Sequence, residues 1–404
     1  MRRSPTAAAV LLCASLAAGC SSGSKSPAVT GTAGASGGSA AAGKSGGAGA
    51  SGGAAAGVSG TTGVAGATAG ATGAAGEGAA GTGAAGTTTD GGAGHAGGDA
   101  SADQGPPAID PGTAGDGDFM VGPTYTKAPE ETADPNVPHG KLNMFMMKSS
   151  DSKIYPGING AYTRPVWVYV PAQYVPGTAA PFIVVQDGDN YILRLPNILD
   201  SMIAAKRVPV MIAIMANSGG GNDKGSERGL EYDTVSDKYV TWVETELLPK
   251  VTSTYSVTLT SDPNGRATLG GSSGGAAAFT MGWFRPDLYR RILTYSGTFV
   301  NQESPTDPMY PHGAWEYHEH LIADADPKPL RVYLECGQND YNANDPETTY
   351  ENFKMANMRM AAALKAKGYH YHFDYALGAQ HDDAKVIDQT LPGVLEWLWA
   401  GYPK

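Results

Sequence analysis

The stretch that most limits what this chain can fold into is Arg266-Ala267-Thr268-Leu269, then Gly270-Gly271-Ser272-Ser273-Gly274-Gly275, then Ala276-Ala277-Ala278-Phe279. A short apolar run reads as a buried strand and the alanine run as a helix, so the glycines between them must make a tight turn. Any larger flanking side chain would drive its Cβ into the strand or the helix. A serine held at such a turn stands at the strand's C-terminal end, beside the N–H groups and positive dipole end of the helix. This is the pattern of a nucleophile elbow. Two registers of Gly-x-Ser-x-Gly fit, one centred on Ser272 and one on Ser273, and spacing does not choose between them. A phosphate cradle fits poorly, because no Gly-Lys-Ser/Thr follows.

The surrounding sequence alternates short apolar runs with longer amphipathic ones, as a mainly parallel sheet flanked by helices requires. Val166–Val170, Phe182–Val185, Val208–Met215, Arg266–Leu269, Ile292–Tyr295, Leu330–Leu334 and Tyr371–Tyr375 read as strands. Asp237 to about Tyr255, Glu347–Lys367 and Asp383–Trp399 carry apolar stripes at helical spacing, which are core packing rather than binding features. The expected fold is α/β, of the α/β-hydrolase kind.

That pattern begins only at Asp118. Residues 20–117 are almost entirely Gly, Ala, Ser and Thr, too poor in large apolar side chains to build a core. They are expected to be a disordered linker spanning about 50–60 Å on average. Residues 1–19 read as an export signal. Arg2 and Arg3 precede an apolar run from Ala7 to Ala18 that is too short to span a bilayer. Leu16-Ala17-Ala18-Gly19-Cys20 resembles a bacterial lipoprotein signal, with cleavage before Cys20 and lipidation of it. The expectation is a cell-envelope lipoprotein, or a secreted protein if Cys20 is not lipidated. Residues 118–404 then form the folded domain, in which Cys336 is the one cysteine, so no disulfide can form there.

The formal net charge is −11, and it resides in the folded part because the linker carries few charges. An acidic surface disfavours nucleic acid and anionic membrane as partners. Membrane association is expected only through a lipid anchor, and composition leaves the oligomeric state open.

A serine hydroxyl needs a base, and the base needs a group to orient it. In this fold they follow the serine in the order acid, then histidine. Asp340 follows the Leu330–Leu334 run, in Gly337-Gln338-Asn339-Asp340, with Asp345 in reserve. His381 follows the Tyr371–Tyr375 run, in Gly378-Ala379-Gln380-His381. Backbone N–H groups of Ser273 and of Gly188 or Asp189, in Gln186-Asp187-Gly188-Asp189-Asn190, are the candidates for an oxyanion hole. His318 and His320 lie beside Glu316 and Glu319, but two histidines without a convincing third ligand read as a surface segment. No metal or cofactor is called for.

From about Pro138 the chain resembles the enterochelin-esterase-like branch of the α/β-hydrolases, which includes feruloyl and other carbohydrate esterases. The resemblance rests on Arg164–Pro171, Gln186-Asp187-Gly188, Ser226-Glu227-Arg228, Glu231-Tyr232-Asp233, Glu246–Pro249, the elbow, and Arg285–Tyr289. In that family the nucleophile is followed by x-Gly-Gly and small helical residues, which implies Ser272. The family's histidine lies in the loop that holds His381. The resemblance implies a serine carboxylic-ester hydrolase acting on an extracellular or periplasmic siderophore, feruloyl or carbohydrate ester. Two rivals are acyl transfer to a sugar or lipid hydroxyl, and a catalytically inactive binding module on a tether.

Overall fold

The structure, a computed structural model, describes Asp110 and residues 112–404. The export signal, Cys20 and the linker as far as residue 109 lie outside the described residues. The last linker positions are part of the fold. Gly117–Val121 forms strand β1, the Asp116 carboxylate meets His370 Nδ1 at 2.8 Å, and Gly115 O meets His372 Nδ1 at 2.7 Å. Composition misses them because polar and backbone bonds, not apolar side chains, tie them down.

After β1 come β2 (Lys141–Lys148), β3 (Thr163–Val170), β4 (Ala179–Ala180), β5 (Phe182–Gln186), α1 (Leu195–Ala204), β6 (Ile212–Ala216) and α2 (Glu227–Tyr232). The chain continues through α3 (Lys238–Trp242), α4 (Leu248–Tyr255), β7 (Thr258–Leu259), β8 (Arg266–Gly271), α5 (Ser273–Phe284) and β9 (Arg291–Tyr295). It ends with α6 (Ile322–Asp324), β10 (Arg331–Asn339), α7 (Phe353–Ala366), β11 (His370–Gln380) and α8 (Ala384–Leu398). Among the described residues, nine strands form one sheet in the order β1-β11-β10-β9-β8-β5-β6-β3-β2, while β4 and β7 pair separately. Seven of the nine run parallel from β1 to β6, and β2 and β3 are paired antiparallel at the other edge.

Central strands carry apolar side chains on both faces, as a covered parallel sheet demands. Ile183, Val185 and Leu269 face α1 and α8, packing on Ile198, Leu199, Leu391 and Leu395. Phe182 and Val184 face the opposite layer, with Val243, Leu247 and Met281. Each such buried side chain contributes about 1.5–3 kcal/mol.

The amphipathic run expected as one helix from Asp237 is α3, a π-helical turn over Val243–Leu247, and α4. Pro249 explains the widened turn: it lacks an N–H and crowds the carbonyl four residues back. Helix α2 is pinned to β3 by the buried pair Arg164 and Glu231, Nη2 to Oε1 2.5 Å. Cys336 is fully buried in β10, where burial pushes its thiol well above the ordinary range. It is a packing residue, as its place in an apolar run suggested.

Candidate active site

Strand β8 ends in Gly270-Gly271, Ser272 turns the chain, and α5 begins at Ser273. Ser272 has φ 54° and ψ −127°, a region that costs a non-glycine residue about 1–3 kcal/mol. The neighbouring glycines make the turn possible. A Cβ on Gly270 would strike the backbone of Gly274, and one on Gly271 would strike the Asp382 carboxylate.

Strands β10 and β11 run further than their apolar cores suggest and deliver the other two residues. Asp340 follows the last residue of β10, and His381 follows the last residue of β11. Ser272 Oγ lies 2.8 Å from His381 Nε2, and His381 Nδ1 lies 2.6 Å from Asp340 Oδ1. The same Asp340 oxygen accepts the Tyr341 N–H at 2.8 Å. With the Asp340 carboxylate accepting at Nδ1, that nitrogen is the donor and Nε2 is left to accept from the serine hydroxyl. The Tyr341 ring stacks on the imidazole with centroids 4.0 Å apart, and Phe353 meets it edge-on at 5.1 Å. Asp345, the reserve acid, sits in the turn before α7, where Asn352 Nδ2 donates to its backbone carbonyl at 2.8 Å; the carboxylate on His381 Nδ1 is that of Asp340.

Ser273 faces inward. It is 5% exposed, and its hydroxyl lies against the buried carboxyl of Asp233. Burial pushes Asp233 up to about 7, with the Ser273 hydroxyl and Arg228 pulling the other way. The Ser273 backbone N–H is at the first position of α5, where no earlier helical carbonyl can take it.

The Asp187–Asn190 loop corrects one expectation. Asp189 N–H donates to Asn217 Oδ1 at 3.0 Å and is not free for an oxyanion. Asp187 N–H faces Tyr232 Oη at 3.3 Å. Gly188 is therefore the remaining candidate of the loop. It packs so close to β6 that an added Cβ would lie 2.6 Å from the Met215 carbonyl carbon. Asp187 holds a left-handed backbone, φ 49° and ψ 56°. Its carboxylate is clamped by Arg228, whose Nη2 lies 2.7 Å and whose Nε lies 3.2 Å from Oδ2. That carboxylate also abuts the first turn of α5, 3.2 Å from where a Gly274 Cβ would stand. Ser226-Glu227-Arg228 gives no sign in the sequence of this pairing with Asp187. Distance along the chain hid which acid Arg228 meets.

Other acids near the triad are not competing bases. Glu335 is fully buried in β10, and burial holds its carboxyl well above the carboxylate range. Among the histidines, His318 is buried against Phe299 O, and burial lowers it to about 3. Among the described residues, His312, Glu316 and Glu319 bring ligand atoms within 4.8 Å of one another. Glu316 is already engaged there by His312, Nδ1 to Oε1 2.9 Å, and by the His312 N–H. Trp283, Trp315 and Tyr191 belong to the core, whereas Tyr341 lines the cleft over Ser272.

A mainly parallel sheet whose strand β8 hands a strained serine to a helix, with an acid after β10 and a histidine after β11, defines an α/β-hydrolase. The family model described as "Putative esterase" matches residues 161–395, and the chain belongs to that family. Comparison with curated proteins returns no match. Among solved structures, a ferulic acid esterase from Anaeromyces mucronatus in complex with ferulic acid is similar, at 14% identity and a TM-score of 0.51. That match covers 69% of this chain and 97% of the other. An enterobactin esterase from Shigella flexneri, crystallised in the presence of enterobactin, shares 19% identity at a TM-score of 0.48. It is matched over 66% of this chain and only 60% of its own length. At these identities the likeness is one of fold.

Proposed function

We propose that Ser272, His381 and Asp340 carry out two-step hydrolysis of a neutral, polar ester outside the cytoplasm. The unbroken chain of short contacts from Ser272 Oγ through the imidazole to Asp340 supports this reading most directly. Ser272 Oγ attacks the ester carbonyl and its proton passes to His381 Nε2. The Asp340 carboxylate stabilises the imidazolium, and the N–H groups of Ser273 and Gly188 receive the oxyanion. His381 then protonates the departing alkoxide; water, deprotonated by the same imidazole, attacks the acyl carbon, and the imidazolium returns that proton to Ser272 Oγ as the acid leaves.

Charge at the cleft bears on the substrate. The cleft has a volume of about 360 Å³; of its three charged residues two are paired, and burial pushes the carboxyl of the third, Asp382, up. Arg228 is paired with Asp187, and Glu351 with Lys224 at 3.1 Å. Asn222, Gln302 and Asn342 add neutral hydrogen-bonding groups, and Tyr341 an aromatic face. No net positive field recruits a multiply charged ferric siderophore, whereas a sugar ester finds partners at every wall. Among siderophore, feruloyl and carbohydrate esters, the cleft favours the carbohydrate class, with an aromatic acyl group resting on Tyr341. Lipidation at Cys20 would hold the enzyme at the cell envelope.

The test is labelling by a fluorophosphonate probe together with turnover of acetylated sugars, feruloyl sugars and a catecholate siderophore ester. Wild-type protein is expected to label and to cleave the sugar esters, and Ser272→Ala to do neither. Full activity in Ser272→Ala would sink the mechanism, and preference for the siderophore ester would sink the substrate reading. Cys20→Ser should move the protein from the membrane to the soluble fraction; unchanged partitioning would exclude the anchor.

A further inference from the structure

At the end of the sheet opposite Ser272, the strands open with an unusual row of charge. Arg291 begins β9, Arg331 begins β10 and His370 begins β11, and Arg331 is the register partner of both others. Three basic side chains thus stand abreast on strands about 4.8 Å apart. Like charges directly opposite across strands are destabilising. These are interior positions: Arg291 is 5% and Arg331 6% exposed. Half-buried Arg290 and Lys328 join them around a cavity of about 370 Å³ that is also walled by Tyr369 and Pro327.

The protein's own compensation is partial. Arg331 Nε donates to Trp397 O at 2.9 Å and Arg291 to Leu398 O, so both guanidiniums serve the C-terminal carbonyls of α8. Asp116 divides its carboxylate among His370 Nδ1 at 2.8 Å, Trp397 Nε1 at 3.2 Å and Arg331 Nη2 at 3.7 Å. Asp110, exposed at the rim, lies 3.8 Å from His370. Among the described residues, four arginine and lysine charges therefore meet the carboxylates of Asp116 and Asp110, with Asp262 acting on Arg291 from outside the cavity, in a chain of net charge −11. Burial, then the charge of Arg331, lowers Arg291 to about 10. The pattern is that of a site awaiting negative charge.

We infer that this cavity binds a phosphate-class oxyanion, inorganic phosphate or a small phosphate monoester. Arg331 Nη1 and Nη2 are buried without a hydrogen-bond partner, and Arg291 adds fixed positive charge beside them. At the mouth stand Lys328, its Nζ 4.6 Å over the Trp283 ring, and Arg290, whose Nε and Nη1 bond Pro286 O and Asn264 Oδ1 and leave Nη2 to a ligand. Those donors outnumber the two oxygens of a carboxylate and suit a tetrahedral dianion. Space beyond the phosphate lies against Tyr369 and Pro327, room for a short organic group. Strand β10 is nine residues long, which sets the cavity about 30 Å from Asp340 at 3.3 Å per residue. Binding there is independent of ester hydrolysis.

The experiment is calorimetric titration of the full chain with inorganic phosphate and with glycerol 3-phosphate, against sodium chloride of equal ionic strength. Saturable binding of one or both phosphates is expected. Arg290→Gln and Lys328→Gln, both at the rim, should each weaken it about tenfold, the loss of one charge-assisted hydrogen bond. Ser272→Ala should bind as wild type does, and both rim variants should still hydrolyse ester, which reports that they fold. Tighter binding of glycerol 3-phosphate would assign the monoester, and equal binding the free ion. No saturable binding at millimolar phosphate, or equal binding by wild type and both rim variants, overturns the assignment. Loss of binding in Ser272→Ala overturns it too, by placing the anion at the other end of the sheet.

Discussion

Replacing Asp340 by asparagine isolates charge from shape. The side chain is buried, and asparagine keeps its volume and an Oδ1 able to accept from His381 Nδ1 and from the Tyr341 N–H. What disappears is the negative charge facing the imidazolium during attack. With charge centres about 4 Å apart and an effective dielectric near 20, that attraction is about 4 kcal/mol. At about 1.4 kcal/mol per decade, kcat/KM should fall roughly a thousandfold. The corresponding change in a serine protease triad costs about ten thousandfold, the same range. The assay is kcat/KM on a p-nitrophenyl acyl ester, with thermal unfolding run alongside to show that the fold is retained. Asp345→Asn is the control and should stay within about twofold. An Asp340→Asn enzyme keeping more than about a tenth of wild-type kcat/KM would refute the electrostatic argument. So would a collapse of activity in Asp345→Asn instead.

Ser273→Ala removes a hydroxyl but keeps its backbone N–H, so turnover should fall by less than about tenfold; a loss as complete as that of Ser272→Ala would reverse the roles of the two serines. Arg228→Met strands the Asp187 carboxylate beside α5 and should cost about 3 kcal/mol in denaturant unfolding. The same variant should lower kcat more than it raises KM, and an unchanged kcat would separate the clamp from catalysis. Asp233 has a folded pKa of about 7 against an unfolded value near 3.9. The folded state therefore holds this proton longer, and its share of stability is present below about pH 4 and lost as pH rises toward 7. Asp233→Asn, which cannot ionise, should flatten that loss in melting curves run from pH 4 to 8; an unchanged slope would rule the group out as its source.

Much of the site was legible because its chemistry is carried by local punctuation. The glycines around Ser272 announced a turn that only small residues allow, and Asp340 and His381 each close a segment that opens apolar. The strands around them run beyond their apolar cores, to Asn339 and Gln380. Gly337, Gly378 and the polar residues beside them look like loop, yet pairing between β10 and β11 continues past them with a register shift between Gly337 and Asn339. Edge strands were harder. In β2, Leu142, Met144 and Met146 are exposed while alternate residues are half-buried, so no polar-out pattern marks it. The Asp187–Arg228 clamp and the Asp233–Ser273 contact join residues about 40 apart, a pairing that periodicity does not encode. Asp189 failed as an oxyanion donor for the same reason: its partner, Asn217, comes from the end of β6.

Strand β1 has a consequence for where this chain can be cut. It pairs with β11 from Gly117 opposite His372 to Val121 opposite Ala376, so the last stretch before the catalytic body is also the outermost rung of the sheet. Trimming the chain at a residue such as Tyr125, well upstream of the family match that begins at residue 161, would bare the outer N–H and C=O groups of β11 over that span. An open parallel edge of this kind is a template for another chain. It would lie five residues from His381. Shortened forms begun beyond β1 should therefore lose activity and self-associate together, while forms begun before Asp110 should do neither.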